Sequence, residues 1–280
     1  MEAKELYDKL DEDFEVDLCK DEWKMDFNEF IAPQFKERQM GVMLDNAEEI
    51  DEVVTAVFPS DKVLKEVLAL ERENILLFTH HAMTWDIRKS PDVFTAIGEE
   101  MLKELQSRKI SVYALHVPLD KNGKYSTSVN LAKALGVVSE EGFCEYFGVN
   151  VGLIGKTTLR SVEQLANKLA YAVGHNTKIY DYGDKFITDG RVAVVAGGGC
   201  QDWVLEEVAE RDINTLVTGI TVENEFTKAA HDIAKAMKIN IIGGTHYSTE
   251  KFACMAMTTY FEKQGLPSQF LEDDPVLEDL

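Results

Sequence analysis

"DEVVTAVFPSDKVLKEVLALERENILLFTHH", residues 51–81, decides how the chain is read. Its opening is rich in Val and reads as a strand. Ser60 then stands as an N-cap before Val63, Leu64, Val67 and Leu68, which recur at helical spacing. "ILLFT" (75–79) is an unbroken apolar run, short enough for a strand buried on both faces. Strand, helix and strand in this order form the crossover unit that joins parallel strands.

The same order continues on the C-terminal side. "SPDVFTAIGEEMLKELQSRK" (90–109) is predicted to be a helix with a Ser cap and Pro at its start. "ISVYALHV" (110–117) is the next strand, and "SVNLAKALG" (128–136) a short helix ended by Gly136. In the last third, "GRVAVVAGGG" (190–199), "INTLVTG" (213–219) and "INIIGG" (239–244) are strands. They alternate with helices over 200–211, 224–238 and 248–265, and "SQFLE" (268–272) reads as a final strand.

Three segments of the first half have partners in the second. "VLKEVLAL" (63–70) lies opposite "VLEEVAER" (204–211), "NILLFTH" (74–80) opposite "NTLVTG" (214–219), and "ALHVPLD" (114–120) opposite "GTHYSTE" (244–250). The fold class is therefore α/β, with two similar α/β domains from an internal duplication. Residues 1–45 form an N-terminal segment with no assigned role, 46–136 the first half, 137–185 a less regular connection and 186–280 the second half.

Composition limits the function. With 280 residues, 45% hydrophobic, there is ample material for a packed core. A formal net charge of −21 repels phosphate backbones and disfavours nucleic acid as a partner. No stretch approaches the ~18 apolar residues of a membrane span, and the acidic start is not a secretory signal. The four cysteines, Cys19, Cys144, Cys200 and Cys254, are scattered without a CxxC pair. A reduced, cytoplasmic protein without a membrane partner is expected.

Chemistry concentrates behind three predicted strands: His80 with His81, His116 with Asp120, and His246 with Glu250. Carboxyl ends of strands are where open α/β sheets form their sites. A histidine at a strand end is by itself more often a satisfied polar residue than a ligand. Three such groups, holding four of the six histidines, favour divalent metal instead. Neighbouring strand side chains diverge, so His80 and His81 suit two adjacent ions better than one. His175 and His231 lack such a setting and read as surface or cap residues. "GKTT" (155–158) fails the phosphate-loop spacing because Asn150 replaces a required Gly, which leaves a strand running into a helix capped by Thr157 or Ser161. "AGGGCQD" (196–202) serves equally as a tight turn or as an anion cradle at a helix start. Cys200 within it has no base nearby in sequence.

At "THHAMTW", "HVPLDKNGKYSTSVNLAKALG" and "GGTHYSTEKFACMAM" the chain resembles the Nif-three-like family of dinuclear metal-centre proteins, many of which carry the label GTP cyclohydrolase 1 type 2 homologue. The glycine-rich 192–219 stretch is similar as well, and the resemblance covers about residues 50–280. It implies two similar α/β domains with the metal site between them, assembled as ring-shaped homohexamers. It implies two divalent ions per protomer, of Fe, Zn or Mn. His81 and Asp120 would serve one ion, His80 and His246 the other, and Glu250 both. His116 is not usually counted a ligand there and is expected in the pocket, beside the ligands or moving protons. Three departures put the substrate in doubt: the usual Trp-Asp-Asn-x-Gly is absent near "RQMGVML", Ala82 replaces a Pro after the histidine pair, and "ITVENE" follows Gly219. The expected function is a metal-dependent hydrolase acting on a nucleotide-like or phosphorylated small molecule; the alternative is a non-catalytic, metal-bearing oligomer that binds a partner or regulatory ligand.

Overall fold

In the computed structural model, which describes residues 1–19, 21–22 and 28–280, the stretch 51–81 folds as its pattern dictates. Residues 23–27 (WKMDF), part of the N-terminal segment left without a role by the sequence, lie outside the described residues. The chain divides into two units, Met1–Leu119 with Cys254–Asp273, and Asp120–Ala253 with Asp274–Leu280.

The first unit begins with α1 (Ala3–Asp13), which buries Leu6, Tyr7 and Leu10. Next come α2 (Pro33–Arg38) and β1 (Gly41–Leu44). Tyr113 and Arg38 both hold Asp11 of α1, at 2.6 and 2.9 Å. β2 (Glu52–Ala56), α3 (Asp61–Ala69) and β3 (Ile75–Thr79) then form in order, with Ser60 Oγ accepting the Val63 N–H as the N-cap. The helix predicted over 90–109 is shorter than its pattern suggests. A small ribbon of β4 (Thr84–Trp85) and β5 (Phe94–Thr95) precedes it, and α4 covers only Glu99–Ser107. Val93, Phe94 and Thr95 favour extended backbone, and Gly98 is a poor interior helix residue, so the helix starts behind it. β6 (Ile110–Ala114) pairs in parallel with β3, which pairs in parallel with β2, while β1 runs antiparallel along β6. Every residue of β3 and β6 is buried, as unbroken apolar runs require.

After α5 (Val117–Asp120), the second unit opens with α6 (Thr127–Leu135), ended by left-handed Gly136. The stretch expected to be less regular contains a long antiparallel hairpin, β7 (Val138–Tyr146) with β8 (Val149–Lys156). β7 escaped the sequence reading because most of its residues are exposed and three of them are Glu, so no apolar run marks it. α7 (Val162–Val173) starts in a capping box of Ser161 and Gln164, so of the two caps expected once the phosphate loop is rejected, Thr157 and Ser161, it is Ser161 that serves. β9 (Lys178–Tyr180), β10 (Arg191–Val194), α8 (Asp202–Glu210), β11 (Thr215–Thr218), α9 (Lys228–Met237) and β12 (Asn240–Gly243) complete a sheet of order β7-β8-β10-β11-β12-β9. β10, β11 and β12 are parallel.

α10 spans His246–Lys263 and begins two residues earlier than predicted. The final strand, β13 (Ser268–Phe270), does not extend the second sheet. It pairs in parallel with β2, giving the first sheet the order β1-β6-β3-β2-β13.

Within each sheet the parallel core has the same order, β6-β3-β2 and β12-β11-β10, linked by α4 and α3 or by α9 and α8. The three paired sequence segments fall on equivalent places: α3 and α8, β3 and β11, and the ends of β6 and β12. This is the arrangement a repeated βαβαβ unit produces. The four cysteines are buried and no disulfide joins them. Among the described residues no helix is long and apolar enough to cross a membrane.

His231 corrects its surface reading. It is fully buried on α9, its Nε2 donates to Thr221 O at 2.9 Å, and its Nδ1 accepts from Tyr182 Oη at 3.0 Å. Burial holds the imidazole below its ordinary value of 6.5. The unfolded chain therefore takes up a proton near pH 6.5 that the folded chain refuses, so this residue costs stability as the pH falls below that value. Denaturant unfolding between pH 5 and 7 should show a smaller acid loss in His231→Gln than in the wild type; equal losses would refute a neutral buried His231.

Candidate functional site

β3 ends at Thr79, so His80 and His81 stand just beyond the last ladder residue and escape strict strand alternation. Their backbone N–H groups donate to Ala56 O and Val57 O at 3.2 and 3.0 Å, which ties the turn to the end of β2. Instead of diverging, the two rings lie 4.3 Å apart, centroid to centroid, tilted by 66°. His81 stacks on Phe58 at 4.6 Å. His80 Nδ1 lies 3.0 Å from Leu115 O. A carbonyl only accepts, so Nδ1 carries the hydrogen and Nε2 carries the lone pair.

β6 delivers the third imidazole. Register pairs Thr79 with Ala114, so His116 emerges beside the histidine pair. Its ring lies 5.1 Å from that of His80 and 4.8 Å from that of His81. One nitrogen from each of the three falls within 4.8 Å of the others. His80 and His81 are buried, and His116 is nearly so. Its Nδ1 meets Asp21 Oδ2 at 2.8 Å.

The second unit holds the remaining predicted residues. Asp120 ends α5, and its Oδ1 accepts from the Thr127 hydroxyl at 2.6 Å. His246 and Glu250 are one turn apart on α10, with Nε2 and Oε1 3.2 Å apart and both side chains buried. Because α10 begins at His246, the pair shares one helix face. Asp279, from the C-terminal tail, caps this helix: its Oδ2 accepts the His246 N–H at 2.9 Å. The tail is held there by Thr221 and Val222 N–H groups, which donate to Asp279 O at 2.6 and 2.8 Å. A carboxylate at a helix start also meets the positive end of the helix dipole.

The glycine-rich turn 196–202 packs on Glu250, and two of its amides are taken up by threonine hydroxyls. Gly197 N–H donates to Thr249 Oγ1, and Gly199 N–H to Thr218 Oγ1, both at 3.0 Å. Gly197 has φ +69°, and a Cβ there would stand 2.0 Å from Glu250 Oε1. Glycine is thus what lets the carboxylate approach the turn. Cys200 is buried, and burial pushes its thiol up to about 12, which leaves it no nucleophilic character near neutral pH. His175 accepts from the buried Ser248 hydroxyl at 2.8 Å through Nε2, because its Nδ1 donates to Asn176 O. Asp21 and Asp279 were not picked out by the sequence; both lie among many acidic residues and in no motif.

The profile of the Duf34/NIF3 (NGG1p interacting factor 3) family matches residues 27–274. A Pyrococcus horikoshii protein named GTP cyclohydrolase 1 type 2 homolog is 31% identical over 240 residues, 83% of this chain and 88% of the relative. A protein of the same name from Archaeoglobus fulgidus is 27% identical over 234 residues, again 83% and 88% of the two chains. Among solved structures, a protein ybgI described as of unknown function superposes with TM-score 0.76 at 22% identity, over 98% of this chain and all of that one (100%). TTHA1606 from Thermus thermophilus gives 0.72 at 23% identity, over 99% and 100% of the two chains. These structural likenesses establish the fold.

The packing of Gly197 yields a direct test. Gly197→Ala should lower unfolding free energy by ~1–3 kcal/mol, from the strained φ and the displaced Glu250. Gly198→Ala, with nothing within 4 Å of its Cβ, should stay within ~0.5 kcal/mol of wild type. Equal effects in urea titrations would show that the turn does not shape the Glu250 side chain.

Proposed function

The chain belongs to the Duf34/NIF3 family, and we propose that it binds two divalent metal ions through His80, His81, Asp120, His246 and Glu250 and hydrolyses a nucleotide-like or phosphorylated small molecule. The observation that carries the metal reading is the cluster of three buried or nearly buried imidazoles, one nitrogen of each within 4.8 Å of the others. Burying three imidazoles against each other is costly unless something they bind offsets it. The donor chemistry fits: neutral imidazole and carboxylate suit Fe, Zn and Mn. His80 already has the arrangement of a metal-bound histidine, with one ring N–H fixed on a backbone carbonyl and the other nitrogen offering its lone pair.

In this reading His81 and Asp120 would hold one ion, His80 and His246 the other, and Glu250 would serve both. Bound divalent ions lower the pKa of coordinated water towards neutrality and so supply hydroxide. The chain's own residues hold and orient the donors. Thr127 fixes the Asp120 carboxylate, the Asp279 cap fixes the start of α10, and Gly197 leaves the Glu250 carboxylate its place. Hydrolysis of a nucleotide-like compound is supported by the name its relatives carry, and the homohexamer by the family resemblance.

Elemental analysis of the purified protein, reconstituted with Fe, Zn or Mn, should find about two ions per protomer, as a two-metal site requires. Glu250→Ala should hold one or none while keeping the oligomer seen by size-exclusion chromatography. Absence of metal from the wild type after all three reconstitutions would sink the reading. Two ions without turnover of nucleotides or phosphorylated compounds would sink only its hydrolase part.

A further inference from the structure

The contact between Asp21 and His116 joins a carboxylate from the N-terminal segment to the histidine cluster. Asp21 lies outside the 27–274 stretch that the family profile matches. Its side chain is 3% exposed and that of His116 is 14% exposed. A carboxylate so deeply placed needs a donor, and His116 Nδ1 stands 2.8 Å from Asp21 Oδ2. An ionised carboxylate only accepts, so the hydrogen of that bond sits on His116 Nδ1. In the neutral ring Nε2 then carries the lone pair. His80 reaches the same state through Leu115 O. Two of the three clustered rings are thus set in the same tautomer by two different acceptors.

We propose that Asp21 is a positioning residue that fixes His116 in its Nδ1–H tautomer and thereby makes His116 a further imidazole donor, through Nε2, to a divalent cation at the cluster of His80 and His81. The proposal rests on the metal reading above and adds a sixth donor to its five. The spacing suits it: with nitrogens within 4.8 Å of one another, small ring rotations would let His116 share the ion of either His80 or His81 at ~2.0–2.1 Å. A carboxylate behind a ligating imidazole both orients the ring and raises its basicity, and loss of such a partner costs roughly 10–100-fold in metal affinity.

The test begins on metal-free, 15N-labelled full-length protein. Long-range 1H–15N spectra assign the tautomer of each imidazole without any metal or substrate. Wild-type His116 should be the Nδ1–H tautomer. In Asp21→Ala it should shift largely to the Nε2–H tautomer that imidazole prefers in water. His80 serves as the internal control, since its carbonyl acceptor on Leu115 is untouched and its Nδ1–H signal should persist. Wild-type His116 found as Nε2–H overturns the proposal, and this outcome is decisive even if Asp21→Ala does not fold. An unchanged tautomer in folded Asp21→Ala overturns it too. Titration with Zn2+ should then show affinity lower by about 10–100-fold in Asp21→Ala, with His116→Ala at least as weak. Unchanged affinity in both variants overturns the role of His116 as a donor. Wild-type protein that binds no Zn2+ while His116 is Nδ1–H overturns the metal reading and leaves the positioning by Asp21 standing.

Discussion

The register of β3 against β6 is the constraint from which the histidine cluster follows. Parallel pairing sets Thr79 beside Ala114, so the two chains leave the sheet side by side. Leu115 N–H donates to Thr79 O at 2.9 Å, and Leu115 O takes the His80 ring hydrogen at 3.0 Å. A single residue therefore both extends the ladder and sets a tautomer. A one-residue slip would turn the side chains to opposite faces and separate the rings. The unbroken apolar runs of both strands protect that register, because every residue in them is buried on one face or the other.

The second unit reaches a comparable end by different means. There the candidate donors His246 and Glu250 sit at the start of α10, and the turn after β10 reaches them only because Gly197 has no side chain. Thr249 sits between the two, accepting from Gly197 N–H and donating to Thr245 O at 2.9 Å. The strand-end position of His246 was legible; its place on a helix was not. "GTHYSTE" suggested a cap at Ser248, whereas the first turn is capped by Thr245, whose Oγ1 accepts the Ser248 N–H at 3.3 Å, and by Asp279, which is distant in sequence and invisible to any local pattern.

Legibility followed the same physical line throughout. Buried parallel strands and amphipathic helices leave periodic marks, so β2, α3, β3, β6, β10, α8, β11, α9 and β12 were readable from pattern alone. Exposed or locally ambiguous elements leave none. β7 has charges along an exposed face, and residues 90–98 carry a Ser-Pro start that resembles a helix entry but an extended, β-branched interior. β13 looked like the end of the second half because sequence order cannot tell which sheet edge a strand will join. Among site residues, histidines stood out because there are six; Asp21 and Asp279 did not, because there are fifty Asp and Glu.

That acidic background changes how the two hidden carboxylates should be weighed. Most of the acidic side chains are solvated and are worth little individually. Asp21 and Asp279 are instead buried, and each bonds a residue of the candidate site, one a ring nitrogen and the other a backbone N–H. Both lie outside the stretch the family profile matches. The matched core thus carries the candidate donors, and the flanking segments of this chain add anionic partners to them. The consequence is chemical asymmetry within the cluster: the Nδ1 of His80 meets a neutral carbonyl and that of His116 a carboxylate. A chain with net charge −21 also draws dications towards itself, which favours occupancy of any site whose donors are already oriented.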